Sequence, residues 1–238
     1  LAGGGYAEKV AVPAAQVMPI PAGVSLQHAA GLPEVAATVR SNLSMTAHLR
    51  SGQLVLLHGG ASGIGTHAIQ VAHALGARVA VTASLEKLEL CRELGADILI
   101  NYRDEDFVAR ITEVGGADVI FDIMGAAYLD RNIDALAPDG RVVIIGMQGG
   151  VKGELNIAKL LAKRAGVIAT ALRSRPLDGP SGKAAVISEV VQHVWPMIAD
   201  GRVRPIIGAE LPLEQAAAAH QLLQAGAVSG KVLLRVRD

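Results

Sequence analysis

The chain has 238 residues, of which 51% are hydrophobic and 18% charged, and its 22 basic residues balance its 22 acidic ones. This composition supplies enough apolar material for a packed core, and the zero net charge argues against a polyanion-binding protein. The single cysteine excludes an internal disulfide framework, and no apolar run reaches the ~18 residues of a membrane-spanning helix. We therefore expect a soluble, cytoplasmic protein of one or two domains. Because the chain begins with Leu1 and its first residues read as the middle of a domain, we also expect an incomplete N-terminus.

The first fifty residues predict one strand and two helical segments. Residues 6–12 alternate apolar and polar side chains, which is typical of a half-buried strand, and Pro13 ends the pattern. Residues 25–49 place apolar side chains at helical spacing. Because Pro33 lies early in that stretch, we expect a short helical turn and then a longer helix that starts at Pro33.

A regular alternation of strands and helices follows. Continuous apolar runs predict six buried strands, at 53–58, 78–82, 97–100, 117–122, 141–146 and 166–171. The segments between them have helical patterns, at 64–75, 85–94, 104–114, 126–136 and about 156–164. Strands without polar alternation are expected where helices cover both faces of a parallel sheet. The predicted fold class is therefore α/β, a Rossmann-type doubly wound parallel sheet of six strands.

The pattern changes after residue 172. A polar loop rich in proline and glycine comes first, and it is followed by a helix, a strand, a second helix and a final strand, predicted at 183–199, 205–211, 214–225 and 231–236. These segments and residues 1–45 fall outside the regular alternation. We therefore expect the two ends of the chain to build a second module together.

The strongest chemical signal is a glycine-rich turn that joins the first strand of the sheet to the next helix. Gly63, Gly65 and Ala68 satisfy the G-x-G-x-x-G/A pattern of dinucleotide-binding turns. Small residues there let the backbone approach a pyrophosphate, which is bound by free amides and the positive dipole end of the helix. Since the turn lies between a strand and a helix, we favour a dinucleotide site over a tight turn without a ligand.

Short-chain dehydrogenases use a similar turn, with the spacing of Gly59, Gly63 and Gly65. Those enzymes also need a Tyr-x-x-x-Lys pair, and no tyrosine of this chain is followed by lysine four positions later. Their turn also opens the chain, whereas here over fifty residues precede it. We therefore exclude the short-chain class.

The end of the second predicted strand favours NADPH over NADH. NADH sites usually place an acid about 20 residues past the turn to hold the ribose 2′-hydroxyl. Here the strand ends in residues 82–84 (Thr-Ala-Ser), Lys87 follows one helical turn later, and Tyr102 and Arg103 follow the third strand. Hydroxyls and cations suit an additional phosphate. The alternative is that Lys87 and Arg103 are solvated surface charges.

Motifs along the whole chain resemble a known family. They are GGGYAEKVAVP at 3–13, LPEVAATVRSNL at 32–43, HGGASGIGTHAIQVA at 58–72, EKLELCRELGAD at 86–97, NYRDEDF at 101–107, IIGMQGG at 144–150, ALRSR at 171–175 and GKVLL at 230–234. The chain thereby resembles the zinc-independent quinone oxidoreductases of the medium-chain dehydrogenase/reductase superfamily. Within them it is most similar to the branch of the tumour-suppressor-inducible quinone reductase and its bacterial relatives.

The resemblance implies a domain organisation. In this family a nucleotide-binding sheet is inserted into a GroES-like, β-rich catalytic domain, to which the end of the chain returns. For this chain it implies a partial catalytic domain at 1–36, an NADPH-binding domain at 37–175 and a return to the catalytic domain at 176–238. It also implies that roughly the first quarter of a typical family chain is absent.

The resemblance assigns cofactor-binding residues as well, with NADPH as the cofactor. Ser62, Gly63 and Ile64 are assigned to the pyrophosphate, and Ser84, Lys87 and Tyr102 to the 2′-phosphate. Ile123, Met124 and Gly125 are assigned to the adenine and ribose. The nicotinamide side is assigned to Gly146, Met147, Gln148, Leu172, Arg173 and Ser174. Thr38 falls where the family keeps a threonine beside the nicotinamide, and it is the candidate catalytic residue.

We predict no metal site. The position that resembles a cysteine ligand of zinc alcohol dehydrogenases is Glu34, and Cys91 lies at an apolar position of a predicted helix. His67 and His73 are six residues apart, which places them on different faces of their helix. His58, at the end of the first strand of the sheet, is expected to pack in the core.

Together these features predict an NADPH-dependent, metal-independent quinone oxidoreductase that transfers hydride from the nicotinamide C4 to a quinone or a related electrophilic carbonyl. Two alternatives stay open: an enoyl or alkenal double-bond reductase on the same scaffold, and a non-catalytic NADPH-binding redox sensor. The six aromatic residues give little support to nucleic acid binding, and no membrane partner is expected. An apolar edge strand at 166–173 predicts, by the family resemblance, a homodimer.

Overall fold

A computed structural model describes residues 3–236, so Leu1 and the outer ends of the first and last predicted domains lie outside the described residues. Six parallel strands form one sheet in the order β3-β2-β1-β4-β5-β6. Their bounds are β1 Leu54–His58, β2 Arg78–Ala83, β3 Ile98–Asn101, β4 Ala117–Asp122, β5 Leu136–Ile144 and β6 Gly166–Ala169. This arrangement confirms the predicted doubly wound α/β class.

Helices flank the sheet, and a small separate sheet follows it. In chain order the helices are α1 Leu26–Ala29, α2 Pro33–Val39, α3 Gly63–Ala74, α4 Leu88–Glu93, α5 Phe107–Thr112, α6 Leu129–Ala135, α7 Ile157–Lys163, α8 Lys183–His193, α9 Trp195–Ala199 and α10 Ala216–Gln224. The separate sheet is a parallel pair, β7 Ile207–Pro212 and β8 Lys231–Arg235. No helix among residues 3–236 is long and apolar enough to cross a membrane.

The core lies on both faces of the six-stranded sheet. All five residues of β1 are buried. Val55 and Leu57 pack on one side with residues of α2 and α3, while Leu54 and Leu56 pack on the other side with Phe107 of α5. Two-sided burial is the reason that the central strands read as continuous apolar runs.

The strand predicted at 6–12 is wrong. No strand is present there, and Tyr6 and Val10 are 61% and 54% exposed. A strand requires a neighbouring strand to satisfy its backbone hydrogen bonds. None in the described part of the chain lies beside residues 6–12, so the alternation of side chains has no structural effect there.

The helix predicted from Pro33 ends earlier and changes type. After α2 the chain continues as a π-helix over Arg40–Thr46. Asn42 Nδ2 and Ser41 Oγ both donate to the Thr38 carbonyl, at 2.8 and 3.2 Å, and Thr46 Oγ1 donates to the Ser41 carbonyl at 2.9 Å. Polar side chains that bond to helix carbonyls compete with the regular backbone ladder, which explains the local widening.

Two other boundaries differ from prediction. β5 begins at Leu136, five residues before the predicted start, because Leu136 pairs with Ala117 across a register shift in β4. The helix predicted at 183–199 is divided at Val194, and Pro196 lies in the first turn of α9. Proline has no amide to continue the hydrogen-bond ladder of α8, so a new helix starts there.

The two ends of the described chain contact each other. Trp195 Nε1 donates to the Pro19 carbonyl at 2.7 Å, and the Tyr6 hydroxyl lies 3.1 Å from His220 Nε2. Gln27 also hydrogen-bonds to Glu210. The predicted domain boundaries remain predictions, but these contacts show that residues before α2 pack against residues after β6.

Candidate cofactor-binding site and adjoining cavity

Three glycines shape the turn between β1 and α3. Gly59 has a φ of +73°, which only glycine adopts easily, and a Cβ on Gly60 would lie 2.8 Å from Val81 Cβ. A Cβ on Gly65 would lie 2.6 Å from the Gly60 carbonyl oxygen and closer still to that of Gly59. Gly65 therefore serves close packing of the helix on the turn rather than backbone approach to a phosphate.

The start of α3 is the predicted pyrophosphate site. Ser62 is the N-cap residue, with its Oγ accepting from the Gly65 amide at 3.0 Å. The first bond within the helix runs from the Thr66 amide to the Ser62 carbonyl, so the amides of Gly63 and Ile64 have no acceptor inside the helix. Amides at the positive end of a 12-residue helix bind phosphate favourably. The three residues predicted for the pyrophosphate are thus brought together.

Asp122, at the end of β4, holds the next turn. Its two carboxylate oxygens accept from the amides of Met124 and Gly125, at 2.8 and 2.9 Å. The side chain is fully buried, and this burial raises the pKa of Asp122 despite the two amide bonds. The sequence analysis did not single out Asp122, although an acid that ends an otherwise apolar strand is a recognisable signal.

The loops after β4 and β5 lie against each other. The amide of Gln148 donates to the Ile123 carbonyl at 3.1 Å, and that of Gly149 donates to the Met124 carbonyl at 2.7 Å. A Cβ on Gly146 would lie 2.7 Å from the Ile123 carbonyl oxygen, so glycine permits this approach. The structure therefore places the residues predicted at 123–125 beside those predicted at 146–148, with Met147 65% exposed.

The residues predicted for the 2′-phosphate lie at the ends of β2 and β3, but they already have partners. Ser84 Oγ donates to Glu86 Oε1 at 2.6 Å, and this bond is the main cause that lowers the pKa of Glu86. Lys87 Nζ donates to the carbonyls of Gly226 and Val228, at 2.6 and 3.2 Å. Tyr102 is half-exposed. No acid was predicted at this strand end, and Glu86 was not among the predicted site residues.

A cavity of about 340 Å³ opens next to the start of α3. It lies between α2, α8 and the chain that follows β5 and β6. Of the predicted residues, it is lined by Thr38, Ile64, Leu172 and Arg173. Ser174 is not among its lining residues. Glu34, Asn42, Ile145 and Thr170 line it as well, and of these only Glu34 was considered from the sequence.

Hydrogen bonds connect the polar side chains of this cavity. Thr38 is 6% exposed, and its hydroxyl donates to Glu34 Oε1 at 2.9 Å. Lys231 Nζ donates to Glu34 Oε2 at 2.7 Å. On the other side of Thr38, the Asn42 side-chain oxygen accepts from the Thr170 hydroxyl. The π-helix places Asn42 near Thr38, and β8 places Lys231 near Glu34. Neither placement was predicted from the sequence.

The core roles predicted for His58 and Cys91 are confirmed. His58 Nε2 lies 2.8 Å from Asn132 Oδ1, the ring packs edge-on against Phe107 and Tyr128, and burial lowers its pKa to about 4. Cys91 is fully buried, and burial raises the pKa of its thiol to about 11.

The described residues do not form a zinc site. Among residues 3–236, no three His, Cys, Asp or Glu side chains lie close enough together to hold a metal ion. Both oxygens of Glu34, the residue at the position of a zinc ligand, are occupied by Thr38 and Lys231.

Comparison with known proteins identifies the family. The family profile described as zinc-binding dehydrogenase matches residues 63–189. The chain is 30% identical to quinone oxidoreductase of Mus musculus over 238 residues, which cover 97% of this chain and 69% of the relative. The chain belongs to the medium-chain dehydrogenase/reductase superfamily. The predicted superfamily is thereby confirmed, with quinone oxidoreductases among the relatives, and its members are oxidoreductases.

Other relatives differ in the reaction or cofactor that their names give. A 2-haloacrylate reductase of a Burkholderia species is 30% identical, over 97% of this chain and 70% of the relative. The structure of an NAD-dependent alcohol dehydrogenase is 32% identical with a TM-score of 0.85, over 98% of this chain and 66% of that one. Escherichia coli quinone oxidoreductase, solved with NADPH, is 29% identical with a TM-score of 0.78, over 90% and 67%. The chain thus spans about two thirds of the length of these superfamily members.

Proposed function

We propose that this protein is an NADPH-dependent, metal-independent quinone oxidoreductase. The observation that carries the proposal is the cavity beside the start of α3, which combines a buried threonine hydroxyl with apolar walls at the carboxyl ends of the strands. Bound there, the reduced dinucleotide supplies a hydride from its nicotinamide C4 to an electrophilic acceptor. The quinone oxidoreductase relatives support this choice of acceptor.

The residues fit a dinucleotide. In a doubly wound sheet of this strand order, the cofactor lies across the carboxyl ends of the strands with its pyrophosphate at the first helix. Ser62, Gly63 and Ile64 are at that helix start. Residues at the ends of β2 and β3 would take the adenosine half, which leaves the cavity after β5 and β6 for the nicotinamide half.

The choice of NADPH over NADH depends on the environment of Ser84. Lys87 and Arg103 both lie near Glu86 and help to lower its pKa, so this end of the site holds two cations and one acid. A 2′-phosphate would bind to Lys87. The Lys87 ammonium has three N–H donors, of which two bond to the carbonyls of residues 226 and 228, so one donor is left for the phosphate. E. coli quinone oxidoreductase, solved with NADPH, supports NADPH as the cofactor.

The chain's own residues would position the reactants rather than supply acid catalysis. Thr38 lies in the cavity wall, and Ile64, Ile145 and Leu172 give that wall apolar surface. A quinone places its new charge on delocalised oxygens, so positioning contributes more to its reduction than a protonating group does.

A second candidate is a double-bond reductase on the same scaffold. The 2-haloacrylate reductase relative favours it, and the cationic Arg173 and Lys183 in the cavity wall suit a carboxylate-bearing acceptor. The third candidate, an NADPH-binding redox sensor without turnover, uses the same cofactor site.

We also propose a homodimer. β6 is the last strand of the sheet, so no strand of the described residues pairs with its outer edge. Val151, Ile157 and Leu161, in and before α7, are 74%, 64% and 74% exposed. Sedimentation velocity is expected to give a dimer for the native protein and a monomer for Leu161→Glu, and a native monomer would refute this interface.

The test of the function combines binding and turnover. Calorimetry is expected to show tighter binding of NADPH than of NADH, and NADPH oxidation is expected with 1,4-benzoquinone in excess over 2-chloroacrylate or an enoyl thioester. Thr38→Val should reduce turnover, whereas Thr112→Val, which removes an exposed hydroxyl bonded to the Val108 carbonyl, should not. Faster turnover of 2-chloroacrylate or the thioester would establish the double-bond reductase. NADPH binding with no turnover would establish the sensor, and no NADPH binding would refute all three.

A further inference from the structure

The hydroxyl of Thr38 has a defined direction. A threonine hydroxyl carries one proton and two acceptor lone pairs, whereas an ionised carboxylate can only accept. Since the partner at 2.9 Å is Glu34 Oε1, the proton of Thr38 is committed to Glu34. The hydroxyl oxygen can therefore only accept a hydrogen bond from a group bound in the cavity.

Glu34 is itself held in place from a distant part of the chain. Lys231, 197 residues away on β8, donates to its second oxygen at 2.7 Å. The aliphatic part of Lys231 crosses Gly63 so closely that a Cβ there would lie 2.7 Å from Lys231 Cδ. The carboxylate is thus held between the Lys231 ammonium and the Thr38 hydroxyl that it orients.

We propose that Glu34 is a positioning residue that makes Thr38 select a hydrogen-bond donor on the ring bound in this cavity. On the proposed function, on which this inference rests, that ring is the nicotinamide, and its carboxamide NH₂ is the donor. The contact would hold the carboxamide in one orientation, with its NH₂ group toward Thr38. A ring substituent whose only polar group is a carbonyl has no proton to donate to the Thr38 oxygen. If its carbonyl faced Thr38, two hydrogen-bond acceptors would repel each other.

The cost of that mismatch can be measured as a ratio of affinities. A buried acceptor left without its donor loses about 1–3 kcal/mol, which corresponds to about 5- to 150-fold in affinity. Because Glu34 is 47% exposed and water reaches this side, we expect the lower part of that range, about tenfold.

The experiment compares two cofactor analogues by calorimetry on the whole protein. In 3-acetylpyridine adenine dinucleotide phosphate a methyl group replaces the NH₂, whereas the thionicotinamide analogue keeps the NH₂ and serves as the matched control. The native protein should bind the acetylpyridine analogue about tenfold more weakly than NADP⁺, and the thionicotinamide analogue about equally well.

Two variants test the role of Glu34 itself. In Glu34→Gln the side-chain oxygen can still accept from Lys231 while the amide donates to Thr38, which turns the Thr38 proton toward the cavity. This variant should lose or reverse the preference against the acetylpyridine analogue. Thr38→Val removes the oxygen and should bind NADP⁺ and the acetylpyridine analogue alike. Both variants should bind 2′,5′-ADP, which lacks the nicotinamide half, as the native protein does, and this readout checks that the rest of the site is folded.

The outcomes separate this inference from the proposed function. If the native protein binds neither NADP⁺ nor 2′,5′-ADP, the proposed function fails. If it binds both but does not discriminate against the acetylpyridine analogue, or if Glu34→Gln keeps the full preference, the positioning role of Glu34 is refuted and the proposed function stands.

Discussion

His67 should make the stability of this protein depend on pH. The side chain is 3% exposed, and neither ring nitrogen has a hydrogen-bond partner among the described residues. Burial, and to a smaller extent the nearby charge of Lys231, lower the pKa of His67 from 6.5 to about 4. Because the folded-state pKa lies below that of the unfolded chain, the unfolded state takes up the proton first as the pH falls. This contribution to stability is complete above pH 6.5 and is lost between pH 6.5 and pH 4.

The magnitude follows from the two pKa values. A pKa of 6.5 in the unfolded state and about 4 in the folded state implies a loss of about 2 kcal/mol of unfolding free energy by pH 5 and about 3 kcal/mol by pH 4. His58 also has a pKa of about 4 and contributes with the same sign. A variant that lacks only His67 therefore isolates one of two similar contributions.

The assay is urea unfolding of the native protein and His67→Leu at pH 7 and at pH 5. Leucine removes two buried nitrogens that lack partners, so we expect a variant at least as stable at pH 7, with its relative stability rising by about 2 kcal/mol at pH 5. His73→Leu, at an exposed position of the same helix α3, should change stability by less than about 0.5 kcal/mol at both pH values. A difference between native protein and His67→Leu that is equal at pH 7 and pH 5 would refute the reasoning.

Three other predictions concern the turns and the core. Gly65→Ala should cost about 1–3 kcal/mol in urea unfolding, because its Cβ meets rigid backbone, whereas Gly63→Ala should cost less, because Lys231 can move aside; equal costs would contradict this. Asp122→Asn should lower stability by about 1–3 kcal/mol in the same assay, because one of the two loop amides loses its acceptor. Cys91 should react with iodoacetamide at pH 8 only after unfolding, as followed by mass spectrometry, because the folded thiol is buried with its pKa raised to about 11.

Local pattern predicted the sheet well. For five of the six strands, the predicted first residue lies within one residue of the first residue in the structure. The reason is that a strand covered on both faces must be apolar along its length. The exception is β5, which passes through Pro138 and Gly140 before its apolar run begins. The strand predicted at 6–12 failed for a related reason: alternation describes one chain, whereas a strand exists only with a neighbour.

The site was predictable where it depends on short segments and not where it depends on distant ones. The turn after β1 and the start of α3 are local, so glycine spacing located the turn, and the family resemblance then assigned Ser62 and its neighbours to the pyrophosphate. The pairing of Glu34 with Lys231 joins residues 197 positions apart, and that of Lys87 with the Gly226 carbonyl joins residues 139 apart. No periodicity carries information about such pairs.

The amino-acid sequence by itself determined the doubly wound sheet and the phosphate-type turn, because hydrophobic period and glycine spacing act over a few residues at a time. Its motifs indicated the family by resemblance. Only the tertiary structure decided which polar groups are available to a ligand. The Thr38 hydroxyl donates its proton to Glu34, and Lys87 is bonded to backbone carbonyls. Within residues 3–236, the His67 ring nitrogens have no hydrogen-bond partner. The physical reason is that a hydrogen bond is satisfied by whichever group the fold brings within about 3 Å, regardless of its place in the chain.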